Sequence, residues 1–151
     1  MPRVWKDPYL AYNFLVEIRG LIVAGFSEVR GLEVEVDVKP VEEGGLNNYV
    51  HQLPGPTKAS PRLVLKHGMI DSRELWTWHQ GFVNAHVQNQ KPERRNVTIY
   101  LQNRAQERVR WWVFRDAFPV KWTGPDLNAS STAIAFETLE LAHHGIQRQV
   151  R

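Results

Sequence analysis

The sequence contains no cysteine, which excludes disulfide bridges and thiolate metal sites and leaves the redox compartment open. No run approaches the roughly 18 apolar residues of a membrane span. The opening Met1 to Leu10 lacks the apolar core of an export signal. Neither membrane insertion nor export by a signal peptide is therefore expected. No internal repeat or low-complexity tract interrupts the 151 residues. That length fits one domain, spanning 1–151, able to bury about two thirds of the surface its unfolded chain exposes. Charge of one sign is scarce too. The net charge is only +3, with acids and bases interspersed, and a solvated surface accounts for it without a polyanionic partner.

Catalytic and metal-binding spacings are equally missing. His79 and His86 lie about two helical turns apart, roughly 10 Å along an axis, too far to share one ion through adjacent turns. His143 and His144 are neighbours on a strand and point to opposite faces. No H-E-x-x-H occurs, and His67 with the rest reads as packed or surface imidazole. There is no G-x-S-x-G, and Ser130 and Ser131 have no identifiable base. Glu137 and Glu140 fall on opposite faces of a strand and read as surface charge. Gly44-Gly45 and Gly124-Pro125 lack the continuation of a phosphate-binding loop. No catalytic residue, cofactor or metal is predicted, and the chain reads as a non-enzyme.

What is present is aromatic. Six Trp and six Phe are a heavy load, and aromatic side chains dominate both cores and permanent interfaces. Residues 71–87 form the one sustained helical pattern. Asp71 as N-cap with Glu74 three residues on makes a capping box, and Ile70 with Leu75 a hydrophobic staple. Leu75, Trp78, Phe82 and Ala85 recur on one face, widened by Trp76 and Val83. Gly81 costs about 1 kcal/mol against Ala in a helix interior, which implies close packing there or a shorter helix.

Strand patterns surround this helix. Phe14, Val16 and Ile18 alternate with polar residues, and Leu21 to Val29 is an apolar run broken at Gly25. Val34, Val36 and Val38 alternate with Glu33, Glu35 and Asp37. Leu63 and Leu65 mark a strand feeding the helix, and Val97, Ile99 and Leu101 mark a clean one after it. Arg108 to Ala117 returns with Val109, Trp111 and Val113 as its core face. The opposite face, Arg110, Trp112 and Phe114, is too apolar for water and needs a second buried layer or a neighbouring subunit. Phe118 to Trp122 and Ala133 to His143 complete the series. Residues 39–60 break the pattern, with three Pro and three Gly, a length of irregular chain that is usually functional or disordered. Leu46, Tyr49, Val50 and Leu53 would be wasted on a solvated linker, so the segment reads as an arm ordering against a partner. The fold class is α+β with β dominant: an antiparallel sandwich or barrel with one flanking helix. An alternative function follows from Arg108, Arg110 and Arg115 interleaved with Trp111, Trp112 and Phe114, a surface on which single-stranded nucleic acid can stack.

Several blocks together resemble a known family: DPYLAYNFLVEIRG, GFSEVRGLEVEVD, EEGG, LPGPTK, LVLKHGMIDSRELWTWH, RWWVFRDAFPVKWTGPDLNA and ETLELAHHG, in order from about Asp7 to Gly145. They are similar to the tail-tube proteins of contractile-tailed phages and of phage-tail-like contractile injection systems. The resemblance implies a β-barrel or sandwich protomer that forms a hexameric ring. Stacked rings would make the inner tube, with the spike and baseplate at one end, the sheath around it, and protein cargo or DNA in the lumen. It also implies synthesis and assembly in the cytoplasm, then residence in a phage tail or released particle. The segment 39–60 matches the family's loop that reaches neighbouring subunits and rings. The expected interface residues are Glu42, Glu43, Gly44, Gly45, Leu46, Asn47, Asn48, Tyr49 and Val50, with Trp76 and Trp112. LPGPTK, LVLKHG, VKWTGPDLNA and LELAHHG look more like the tube initiator, the ring that joins tube to spike and baseplate, than like the main tube subunit.

Overall fold

The computed structural model describes residues 7–23, 25–41, 51–57 and 61–150. Along the chain these give β1 (Phe14–Ile18), β2 (Leu21–Val23), β3 (Phe26–Arg30), β4 (Val36–Val41), β5 (His51–Thr57), β6 (Leu63–Gly68), α1 (Glu74–Val87), β7 (Arg95–Gln102), β8 (Arg108–Thr123), β9 (Phe136–Ala142) and β10 (Ile146–Val150). All described strand pairs are antiparallel.

Two layers share one strand. The first half of β8 pairs with β7 and β10, and its second half with β9, so the order β2-β1-β7-β8-β9-β6-β3 passes from one layer to the other through β8. The hinge is Asp116, a non-glycine residue at φ 51°. It is held by its N–H donating to Asn96 Oδ1 at 3.0 Å, and beside it the Arg115 N–H donates to the Gly145 carbonyl (3.1 Å) while the His144 N–H donates to the Arg115 carbonyl (2.8 Å). Strands that change sheet in this way make the corner of a sandwich. The sequence expectation of two strands, Arg108 to Ala117 and Phe118 to Trp122, is thus replaced by one bent strand. The expected barrel is not closed, because the path ends on β2 and β3. Gly31 explains the departure after β3. At φ +104°, a Cβ there would lie 2.3 Å from the Arg62 carbonyl oxygen, so only glycine lets the backbone leave the layer at this point.

Val16 and Ile18 of β1, Leu63 and Leu65 of β6, Val97 and Ile99 of β7, Phe114 and Ala117 of β8, and Leu139 and Leu141 of β9 are buried in one cluster, capped by Leu75 and Trp78 of α1. The cross-strand partners decide which face of β8 joins it. Val97 opposes Phe114 and Ile99 opposes Trp112. The core face is therefore Trp112 and Phe114, the reverse of the expected Val109, Trp111 and Val113.

Leu75 and Trp78 are buried and Phe82 and Ala85 partly so, as the helical stripe requires. The start of the helix differs from expectation. Arg73, not Asp71, is the N-cap and makes no side-chain capping bond, and Ile70 is 59% exposed, so neither capping box nor staple forms. The chain is still tied to the sheet at Met69, whose N–H donates to the Ala135 carbonyl (2.9 Å), and helical winding begins only after that tether. Gly81 neither shortens the helix nor packs closely, since a Cβ there would meet open space.

β4 and β5 form a separate two-stranded ribbon, with Lys39 opposite Leu53 and Pro40 opposite Gln52. The segment expected to be irregular is therefore strand on both flanks. Proline in both strands removes ladder donors, which is tolerated where each strand is an edge. β10 was not expected at all.

Candidate functional site: an assembly surface

The ribbon and the chain leading into it carry apolar side chains left exposed among the described residues. Val34, Val36, Val38, Val41 and Leu53 are all exposed. An isolated two-stranded ribbon is marginal in water, and an uncovered apolar edge is a template for association. Glu42, Glu43, Gly44, Gly45, Leu46, Asn47, Asn48, Tyr49 and Val50 lie outside the described residues. Among the described residues, further unpaired backbone is offered by β2 and β3 at the ends of the sheet path and by β10, which pairs there with β8 alone.

Trp76 is 40% exposed on the outer flank of α1 and meets Trp122 edge-on, ring centroids 4.6 Å apart. Beside it, Phe82 stacks on Phe118 at 5.1 Å, leaving a shallow cleft of about 300 Å³ between helix and β8. Trp112 is elsewhere. It packs partly buried against the core cluster and lines an apolar cleft of about 500 Å³ with Tyr9, Tyr12, Phe14 and Leu32. The structure thus places the two tryptophans on different surfaces.

Two of the three arginines that interleave with aromatics on β8 are engaged within the protomer. Arg108 lies over Tyr100, 4.4 Å from its centroid, and Arg110 over Tyr9 at 5.6 Å. Tyr100 donates to the Glu17 carboxylate, and burial followed by that carboxylate pushes its phenol above the ordinary value. With Trp112 turned to the core, the stacking platform of the nucleic-acid alternative is not assembled as the sequence suggested.

One buried polar row escaped the sequence reading. His67 on β6 and Glu137 on β9 are direct cross-strand partners, 2% and 4% exposed. His67 Nδ1 lies 3.1 Å from Glu137 Oε1, and Trp122 Nε1–H donates to Glu137 Oε2 at 2.9 Å. The row continues to β3, where Phe26 tilts against the His67 ring at 4.7 Å. Glu137 is therefore not surface charge, and only Glu140 is, bridging to Arg62 at 3.2 Å. The expected opposition of the two carboxylates is correct; what the spacing could not show is that Glu137 takes the inner face. An imidazole beside a carboxylate has the composition of a general base, but Nε2 is closed off by Gly25, where even a Cβ would sit at 3.0 Å. The row ties β6, β9 and β8 together, with Phe26 of β3 packed against its end.

Comparison with known proteins follows the same direction. Residues 10–147 match the family of the T4-like virus tail tube protein gp19. A chain of the PVC extracellular contractile injection system, in its extended sheath–tube complex, is 27% identical with a TM-score of 0.81, covering 95% of this chain and 93% of that one. A chain of the tube-terminating cap of the anti-feeding prophage is 25% identical with a TM-score of 0.86, covering 100% and 97%. A chain of the six-fold symmetrised baseplate of the same particle is 25% identical with a TM-score of 0.81, covering 97% and 98%. No curated protein sequence matches.

Proposed function

Because this chain belongs to the T4-like virus tail tube family, we propose that it is the tube-initiator subunit of a contractile injection system or phage tail, forming the ring that joins tube to spike and baseplate. It is a structural component and not an enzyme, as are the members and fold neighbours of its family. The observation that carries the reading is the family match over nearly the whole chain. The exposed ribbon and open strand edges supply the surfaces a self-associating ring needs. On this reading six copies close a ring after synthesis in the cytoplasm, β-strand edges meet between copies, and neighbouring rings, the baseplate and the sheath are the partners. Cargo or DNA would pass through the lumen. The expected interface residues of 42–50, together with Trp76 and Trp112, belong to this proposal. Trp76 is suited to it by its exposure, whereas Trp112 would take part through the apolar cleft it lines.

The blocks LPGPTK, LVLKHG, VKWTGPDLNA and LELAHHG favour the initiator, and the similarity to a baseplate chain is consistent with it. A second reading, the main tube subunit, is favoured by the similarity to a chain of a sheath–tube complex. Gold or antibody labelling of a tagged chain in assembled particles separates the two. Label in one ring at the baseplate end is the expected result, and label along the whole tube would replace initiator by main tube subunit.

A further inference from the structure

The buried row does not end inside its layer. It runs from Phe26 on β3 through His67 on β6 and Glu137 on β9 to Trp122 on β8, along the strand order of that layer. Trp122 then meets Trp76 of α1, with ring centroids 4.6 Å apart and planes inclined at 68°. A line of contacts therefore crosses the layer and comes to the surface at a tryptophan that is 40% exposed.

Trp122 is the joint, and it is held at both ends. Its indole N–H donates to Glu137 Oε2 at 2.9 Å, while the other carboxylate oxygen lies 3.1 Å from His67 Nδ1, so the acceptor is itself anchored to β6. At the far end of the ring Gly124 closes in, since a Cβ there would stand 2.9 Å from Trp122 Cη2. Hydrogen bond and glycine together leave the ring one place to stand. Trp76 has little else to lean on. Among the described residues its aromatic contacts are Trp122 and, at 6.3 Å, His79 of its own helix. A buried carboxylate is a poor device for joining strands alone, because desolvation offsets much of its attraction and apolar residues of similar volume serve as well. What it adds is direction, a charge-assisted bond aimed at one donor. That donor belongs to the ring on which Trp76 rests.

We propose that Glu137 is a positioning residue for the exposed face of α1: by fixing Trp122 it sets where the Trp76 ring stands, and so presents Trp76 to a neighbouring copy of the chain. That Trp76 meets a neighbouring copy is the reading given above, on which this inference rests; what is added is that its placement is decided from inside the sheet. An aromatic anchor held in one orientation loses less freedom on contact than a mobile one, which is what the buried row contributes to association.

Substitutions in the full-length chain test it with two readouts. The first is the far-ultraviolet circular dichroism couplet of the Trp76 and Trp122 pair, identified as the signal lost in Trp76→Phe. The second is association between copies in sedimentation velocity. Glu137→Met fills the space without an acceptor and is expected to abolish most of the couplet and to weaken association roughly three- to ten-fold, the contribution of about one aromatic pair. Glu137→Gln keeps a carbonyl oxygen for the Trp122 N–H and is expected to retain both. Gly124→Ala, outside the row, displaces the ring from its other end and is expected to reduce the couplet with the carboxylate intact. Denaturant titration shows that each variant is folded under the conditions used. A couplet of parental size in folded Glu137→Met and Gly124→Ala overturns the positioning role, as does an equal loss in Glu137→Gln and Glu137→Met. A lost couplet with parental association overturns the presentation to a neighbour. Parental association by Trp76→Ala removes the reading of Trp76 as an interface residue, and the couplet alone then decides the positioning.

Discussion

Deleting residues 43–48 is expected to leave a protomer that melts within about 2 °C of the full chain and forms neither rings nor stacked tube. The first half of this expectation follows from packing. β4 and β5 pair with each other, and no buried residue of the core cluster belongs to them. Residues Glu42, Tyr49 and Val50 remain to close the hairpin between Val41 and His51, and shortening a loop changes closure entropy by only a few tenths of a kcal/mol. The second half follows from what the ribbon exposes. Its valines and Leu53 are exposed among the described residues, and a two-stranded ribbon of this kind gains its stability from a third partner. Thermal melting followed by size-exclusion chromatography measures both. A deletion variant that unfolds would make the arm part of the core, and one that still builds tubes would remove it from assembly.

The second large effect is expected at the buried carboxylate. Glu137→Ala removes the carboxylate that His67 Nδ1 and Trp122 Nε1–H share inside the sheet, and each buried polar group so deprived costs about 1–3 kcal/mol. For a chain of this size that lowers Tm by roughly 10 °C. Glu137→Gln keeps a carbonyl oxygen for one of the two donors and is expected to cost clearly less. Had Glu137 been the surface charge that its spacing from Glu140 suggests, both substitutions would fall within about 0.5 kcal/mol of the parent. Denaturant titration of the three proteins distinguishes the two cases, and equal, small effects would remove the row from the account of stability.

The contrast between these two sites shows where the sequence was legible. Strands whose apolar residues alternate without competition, such as Val97 with Ile99 and Leu63 with Leu65, were readable because one face had to be buried and no other face qualified. β8 was not, since Arg110-Trp112-Phe114 and Val109-Trp111-Val113 are both apolar enough to serve. The choice was made by register against β7, a non-local fact. The bend that turns β8 into two half-strands depends on Asp116 at positive φ, a conformation that aspartate tolerates better than most residues but that its presence alone does not specify.

The helix shows the limit of a local signature. Asp71 and Glu74 have the spacing of a capping box, yet the hydrogen bond from Met69 to Ala135 keeps the preceding chain on the sheet and delays the first turn to Arg73. The tertiary tether outweighed the cap, which is worth only about 1 kcal/mol. β10 was invisible because Ile146-Gln-Arg-Gln-Val150 has too little apolar alternation, and its strand state comes from pairing with β8. Of the residues expected at an interface, Trp76 is exposed on the helix flank as its place in the stripe allows, and 42–50 lie outside the described residues. The sequence reading missed the buried row of His67, Glu137 and Trp122, whose members come from three separate strands and meet only in the fold.

On the proposed function this chain works as a closed ring of identical subunits. Native mass spectrometry of the chain purified together with its baseplate and spike partners tests it most directly. The account predicts a discrete species of about six times the 17.5 kDa chain mass. A chain that stays monomeric in the presence of those partners would contradict it.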